Sequence, residues 1–513
     1  MTQENNTIII DGNSLTLKQI IRVAKKANKV KIKLSVIEKL TYLRKHIDII
    51  LTNKKPYYGI NTGFGGLSEI NISSNQINKL QLNLIYSHAV GIGSSFSYEE
   101  ARALMLLRLN SLAKGFSGCR PVIIQHIAIL LNNGCAPLVP KKGSVGASGD
   151  LAPLAHLSLL LIGQGNALIN GKKSTAQSAL KKSKLKPIIL EAKEGLSLIN
   201  GTQAMCTLAC FALNDALNLC KLANIIGACS VEALMASTTP FIKKIHELRP
   251  YKGQKIAALQ LRKMLKNRNN NDHKKKHNYN TQDAYSLRCM PQVHGAVIDA
   301  ISHINTQINI EINSATDNPL IFINNSTKQA EIISGGNFHG QPLAFILDYL
   351  GIVISALANI SERRFENLLN PTLSCGLPAF LIKSSGLNSG FMMLQVSAAA
   401  LVNENKILSH PASSDSIPTS ANKEDFVSMG MTSANKICTI LDNTYNVLSL
   451  ELMGACQALD LRNNLQIAPQ VKTIWKKVRQ TIPFADKDRL FKNDMINIYN
   501  LCKSEQLQTI VNI

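Results

Sequence analysis

Met205–Ser237 reads MCTLACFALNDALNLCKLANIIGACSVEALMAS. Alanine and leucine dominate, no proline interrupts, and apolar residues fall on every face instead of one stripe. A helix that is hydrophobic all round is one surrounded by other helices. Gln341–Phe365, Ser389–Leu408 and Glu424–Leu461 share this texture and are nearly free of internal proline. Together they predict a mainly α chain built on an elongated bundle of long helices, and the tail after Ala468 returns to amphipathic helix.

Upstream the texture differs. Short apolar segments alternate with glycine-rich turns, YYGINTGFGG at Tyr57–Gly66 and KGSVGASGD at Lys142–Asp150, where backbone must bend tightly or approach something closely. The expected division is an N-terminal domain, residues 1–199, carrying these loops, and a bundle with C-terminal helices, residues 200–513. Lys266–Asn280 (KNRNNNDHKKKHNYN) lacks apolar periodicity and is expected to be a solvated loop.

A length of 513 residues at 45% hydrophobic excludes disorder. The first twenty residues lack the basic, apolar and small-residue succession of a secretory signal. The apolar runs Tyr349–Ile360 and Leu157–Ile162 fall short of the roughly 20 residues that cross a bilayer, so no membrane partner is expected. Eleven cysteines without a C-x-x-C pair suggest neither a metal site nor a redox pair; they fit a reducing cytoplasm. Cys206, Cys210, Cys220, Cys229, Cys438 and Cys456 fall in apolar helical stretches, where a free thiol acts as a small hydrophobe. The net charge of +23 raises a nucleic-acid partner. The excess is mostly lysine, however, accompanied by much asparagine and isoleucine. Its runs (Lys25–Lys33, Lys172–Lys186, Lys274–Lys276) lie far apart with few aromatics between them. Compositional bias explains that pattern better, and no nucleic-acid partner is expected.

Chemistry concentrates in Gly143-Ser-Val-Gly-Ala-Ser-Gly-Asp150, which runs into LAPLAHLSLLLIGQG. No Gly-Lys-Ser/Thr follows, so it is not a P-loop. The glycines are spaced G-x-x-G-x-x-G and no strand is expected before them, so it is not a dinucleotide fingerprint. Gly149 directly after Ser148 rules out the G-x-S-x-G elbow. What survives is a plain glycine turn with Asp150 capping the next helix, or a reactive turn. If the Gly149 nitrogen is pressed onto the Ala147 carbonyl carbon, closure with loss of two waters gives a 4-methylidene-imidazol-5-one. Serine supplies the methylidene carbon, glycine an unhindered nitrogen and alanine a small neighbour. A helix beginning near Asp150 adds a positive end that favours electron withdrawal.

These residues, with YGINTGFG at Tyr58, LINGTQAM at Leu198, QDAYSLRCMPQVHGA at Gln282, SATDNPL at Ser314, SGGNFHG at Ser334 and NSGFMMLQVSAAALVNENK at Asn388, resemble a known family. It is the aromatic amino acid lyases that make this ring from their own backbone, within the fumarase/aspartase-like helical superfamily. The resemblance extends to SANKEDFVSMG at Ser420–Gly430 and covers nearly the whole chain. It implies an ammonia-lyase whose cofactor is the ring formed autocatalytically from Ala147, Ser148 and Gly149 next to Asp150, with no external cofactor and no metal. It further implies a homotetramer whose active sites combine residues of more than one subunit.

By the same resemblance, Tyr58 is the base for the β-carbon proton, which requires surroundings that lower a tyrosine's ordinary pKa. Arg288 clamps the substrate carboxylate, Asn200 hydrogen-bonds the ring carbonyl, and Phe338 walls the pocket. Gln282, Tyr285 and Arg288, spaced by three, are expected on one helical face. Ser87-His88 in LIYSHAVGIG and Glu424 in SANKEDF resemble the histidine-directed branch, with L-histidine as substrate and trans-urocanate as product, the first step of histidine degradation. Without the resemblance, Glu424 reads as an ordinary helix N-terminal acid capped by Ser420 or Asn422. Lys423, Phe426 and Gln341 depart from that branch's usual residues; Lys423 in particular could pair with Glu424. The competing readings are phenylalanine or tyrosine as substrate, a 2,3-aminomutase and, from another class, a catalytically decayed scaffold or a basic nucleic-acid-binding protein.

Overall fold

The computed structural model describes residues 7–52, 56–268, 282–324, 326, 327, 329–462 and 466–512. Of the polar stretch Lys266–Asn280, residues 269–280 lie outside the described residues. Helices dominate. The long ones include Gln203–Ala233, Met290–Ile312, Gln341–Leu369, Met392–Leu408 and Gly430–Leu461, and Pro469–Arg479, Lys492–Lys503 and Gln506–Val511 form the tail. The fold is that of a mainly α, elongated-helix protein.

Two of these bounds correct the sequence. The last long helix starts at Gly430, not Glu424, because Met429 takes a left-handed φ of 55°, which no right-handed helix accommodates; Ser420, Ala421 and Asn422, the candidate caps, are left-handed as well (49°, 53° and 63°). Glu424 instead pairs backbone to backbone with Thr419. Gln341–Leu369, judged too short in uninterrupted apolar runs, is long and apolar enough to cross a membrane, but 61% of its most apolar window is buried inside the chain, as in the core helix of a folded protein.

The chain forms two compact units. The first comprises Met1–Phe211, Asn305–Asp348 and Pro411–Asn435. Its centre is the helix Tyr98–Ala113, opened by a capping box in which Ser97 Oγ accepts the Glu100 amide at 3.1 Å and Glu100 Oε2 accepts the Ser97 amide at 2.7 Å. From Ala101 to Ala113 every residue is buried, Arg102 and Arg108 included. Arg102 donates to the carbonyls of Val23 and Leu131, and Arg108 to Gln203 Oε1 and the Ser197 carbonyl, so neither charge is left without partners. Short strands edge this unit. Pro140–Lys142 pairs antiparallel with Ile92–Ser95, so a strand does precede the Gly143–Asp150 loop. The glycine spacing and the antiparallel partner still set it apart from a dinucleotide fold.

The second unit comprises Ala212–Ile304, Tyr349–His410 and Lys436–Ile513. A fully buried ion pair lies in its interior: Arg364 Nε and Nη2 donate to Glu451 at 2.6 and 2.8 Å, and the hydroxyls of Ser230 and Ser361 donate to the same carboxylate at 2.6 Å each. Breaking such a buried pair by removing one partner leaves an uncompensated charge and is strongly destabilising. None of the eleven cysteines is in a disulfide. Of the six placed in apolar helices, five are buried and Cys438 is partly exposed; burial pushes Cys220 and Cys456 up to about 12, which makes them inert packing groups.

Candidate active site

Within the first unit, Gly146, Ser148 and Gly149 take left-handed φ of 70°, 52° and 72°. Serine rarely adopts that conformation, and the surroundings enforce it. A Cβ on Gly149 would lie 2.2 Å from the Gly201 carbonyl oxygen, and one on Gly201 would lie 2.5 Å from Arg108 Nη1. The two glycines therefore sit back to back, joined by the Asp150 amide donating to the Gly201 carbonyl at 2.7 Å. Asn200 Nδ2 donates to the Ser148 carbonyl at 3.0 Å, while Asn200 Oδ1 is buried and finds no partner among the described residues.

Asp150 precedes the helix Leu151–Leu161 as expected, but its side chain does not cap that helix. Oδ2 accepts the Met205 amide at 2.8 Å, in the first turn of Gln203–Ala233, and Oδ1 accepts the Ser144 hydroxyl at 3.0 Å. Complete burial pushes the Asp150 carboxyl up to about 7, against the lowering effect of these donors.

Ser148 opens onto a cavity of about 440 Å³, lined also by Tyr58, His88, Asn200 and Glu424, and onto a neighbouring one of about 320 Å³ lined by Phe338, His339, Lys423 and Phe426. Tyr58, Ser148 and Glu424 face both. Ser148 Oγ donates to Glu424 Oε1 at 2.5 Å, and Thr419 Oγ1 donates to Oε2 at 2.7 Å. Glu424 thus lies in the pocket on a pinched turn, not at a helix start. Among the described residues Lys423 makes no ion pair with it.

His88 ends the helix Ile77–His88. Its Nδ1 donates to the Leu84 carbonyl at 2.8 Å, with Ser87 Oγ 3.0 Å away. A carbonyl only accepts, so Nδ1 carries the proton and Nε2 of the neutral ring is an acceptor. Burial holds the His88 pKa below its ordinary value, keeping the ring neutral. Tyr58 departs from expectation. Burial and the carboxylates of Glu424 and Asp317 raise its pKa, opposed by the Gly65 amide that donates to its hydroxyl at 3.4 Å.

Gln282, Tyr285 and Arg288 belong to the second unit. The helix there is only Tyr285–Arg288, so Gln282 lies outside it and the three do not share one helical face. Arg288 does stack over the Tyr285 ring at 4.7 Å, and its Nε is buried without a partner among the described residues. Sequence reasoning overlooked what anchors this turn: Arg364 Nη1 donates to the Ser286 carbonyl at 3.4 Å and Asn367 Nδ2 to the Ser286 hydroxyl at 3.3 Å. It overlooked His339 too, which stacks on Phe426 with ring centroids 5.9 Å apart and donates from Nε2 to the Phe426 carbonyl at 3.2 Å. Gln341 carries two buried amide atoms that find no partner among the described residues.

A predominantly helical chain with a strained Ala-Ser-Gly turn at the floor of a polar pocket defines a class, and the sequence profile of aromatic amino acid lyases matches residues 15–480. The chain belongs to the aromatic amino acid lyase family. It is 45% identical over 500 residues to a histidine ammonia-lyase of Alkaliphilus oremlandii, covering 98% of this chain and 97% of the relative. The crystal structure of histidine ammonia-lyase from Trypanosoma cruzi superposes with a TM-score of 0.90 at 41% identity, covering 99% of this chain and 95% of that one. A tyrosine aminomutase from Streptomyces globisporus gives 0.92 at 35%, covering 99% and 98%.

Proposed function

We propose that the chain is a histidine ammonia-lyase, converting L-histidine to trans-urocanate and ammonia. The observation that carries this reading is the convergence of His88 and Glu424 on the cavity above Ser148. Two hydrogen-bond acceptors, one of them charged, suit an imidazole, which offers N–H groups; a phenyl ring offers none.

The residues around Ala147–Gly149 fit a methylidene-imidazolone. Asn200 supplies a donor to the carbonyl that would become the ring carbonyl, and the space beside Gly149 admits no side chain. When formed, the ring supplies an electrophilic carbon derived from Ser148 Cβ. The chain's own side chains do the rest. Asn200 Oδ1, unsatisfied and buried, accepts from the substrate's ammonium. Glu424 and His88 Nε2 hold the imidazole and Phe338 flanks it; the planar fork of Arg288, with Gln282 and Tyr285 on the same segment, is the group suited to an α-carboxylate. The Tyr58 hydroxyl, as phenolate, removes the β-carbon proton.

Because burial and two carboxylates raise the Tyr58 pKa, the phenolate fraction at neutral pH is small and grows with pH. The expected kcat/KM profile therefore climbs through the alkaline range without levelling below about pH 10, the ordinary tyrosine value; a plateau near neutrality would remove Tyr58 as the base.

Support for a homotetramer comes from apolar side chains left exposed on the second unit, among them Leu373, Leu387, Met393, Val396 and Ile407. Cysteines outside disulfides fit a cytoplasmic setting. The activity is tested by offering histidine, phenylalanine and tyrosine separately and following the ultraviolet band of the conjugated acid. Product from histidine at a rate far above the other two is expected; preference for either other substrate, or a β-amino acid product, overturns the reading.

A further inference from the structure

Ser144 lies upstream of the Ala147–Gly149 turn, and its hydroxyl reaches both flanks of it. Oγ accepts the Gly146 amide at 3.1 Å and donates to Asp150 Oδ1 at 3.0 Å, with the Gly149 carbonyl oxygen 3.4 Å away. The other side of Gly146 is held as firmly, its carbonyl accepting the Ser428 hydroxyl and the Gly340 amide at 3.0 Å each. The far end of the turn is tied to Gly201 through the Asp150 amide. Among the described residues, the Ala147 carbonyl and the Gly149 N–H make no hydrogen bond. The two groups that cyclisation must join are thus free of backbone partners, in a turn whose ends are fixed.

We propose that Ser144 is a positioning residue for ring formation, cross-linking the two ends of the turn so that the Gly149 nitrogen is delivered to the Ala147 carbonyl carbon. This rests on the reading that the ring forms. In that reaction the Gly149 nitrogen bonds to the Ala147 carbon and its proton passes to the carbonyl oxygen. The resulting hydroxyl leaves as water with the Ser148 amide proton, which places a C=N bond between Ala147 C and Ser148 N. The Ser148 hydroxyl then leaves as water with the Ser148 α-proton, giving the methylidene group. No oxidant or reductant enters. Ser144 forms no covalent bond to any of these atoms; it restricts the turn to one productive geometry, the kind of orientation on which intramolecular reactions depend. Its hydrogen bond to Asp150 also keeps that buried carboxyl turned away from the helix Leu151–Leu161 and toward Met205, which holds the turn's exit.

The test is the intact mass of purified full-length protein followed over time after expression, for wild type and for Ser144→Ala, Ser144→Cys and Ser144→Thr. Circular dichroism and sedimentation identify the natively folded fraction. Wild type is expected to be lighter than its sequence by two waters. Ser144→Thr keeps the hydroxyl and should match it. The Ala and Cys variants should acquire the mass loss about tenfold more slowly, the scale set by one hydrogen bond. Two-water loss at the wild-type rate in folded Ala or Cys variants overturns the proposal, as does failure of the folded Thr variant to cyclise. A wild type that carries its full sequence mass overturns the ring reading itself, and is distinguished from the other outcomes by that single measurement.

Discussion

Ser148→Ala is expected to leave the fold intact and remove nearly all activity. The side-chain hydrogen bond to Glu424 is partly exposed, and alanine accepts the left-handed φ of this turn no worse than serine does. The change in stability should therefore stay within the roughly 1.5–3 kcal/mol of a charged hydrogen bond. The catalytic loss is of another order, because the methylidene carbon has no source but Ser148 Cβ. Removing one preorganised donor from an active site costs about 10²–10³ in rate; removing the electrophile should cost at least the upper end of that range. Intact mass decides the cause. The variant should lack the two-water loss that wild type shows, while retaining the wild-type helical signal. A wild type that is active yet unmodified, or a variant that keeps activity, ends the ring hypothesis.

How far the sequence foretold this site depends on the range of the contacts. Helix-scale features were legible: the Ala- and Leu-rich runs became the long helices because burial on all faces leaves a local compositional trace. The pocket brings together positions from Tyr58 to Glu424, and no periodicity records such distances; only the resemblance of ordered motifs did. Misreadings arose where a side chain had two possible partners. Asp150 looked like the cap of its own helix, yet the Met205 amide, far along the chain, took its carboxylate. Glu424 looked like a helix-start acid because three consecutive left-handed residues are invisible in Ser-Ala-Asn, none of which is glycine. The spacing of Gln282, Tyr285 and Arg288 suggested one face, but spacing does not show where a helix begins. For Tyr58, the role of base called for neighbours that lower its pKa, whereas burial and the nearby carboxylates raise it: a motif assigns a role without recording the field at one atom.

That field makes Glu424 the position where substrate choice and proton transfer meet. Glu424→Gln keeps the size, can still accept from Ser148 and Thr419, and removes the charge. If the carboxylate holds the imidazole, the loss is that of a charge-assisted hydrogen bond, roughly 1.5–3 kcal/mol, so kcat/KM on histidine should fall about 10- to 150-fold. Trace activity on phenylalanine, which cannot use that bond, should hold steady or rise. Lys423→Gln should change either rate by no more than about threefold, since Lys423 is not ion-paired to Glu424 and an exposed charge nearby is well screened. The pH profile adds an independent sign. Glu424's charge raises the Tyr58 pKa, so removing it should move the alkaline limb toward lower pH even as the maximum falls. Intact mass must show the ring still formed, which separates substrate binding from cyclisation. Equal losses on histidine and phenylalanine with an unmoved limb would mean that Glu424 only supports the turn, and the preference for histidine would then rest on His88 alone.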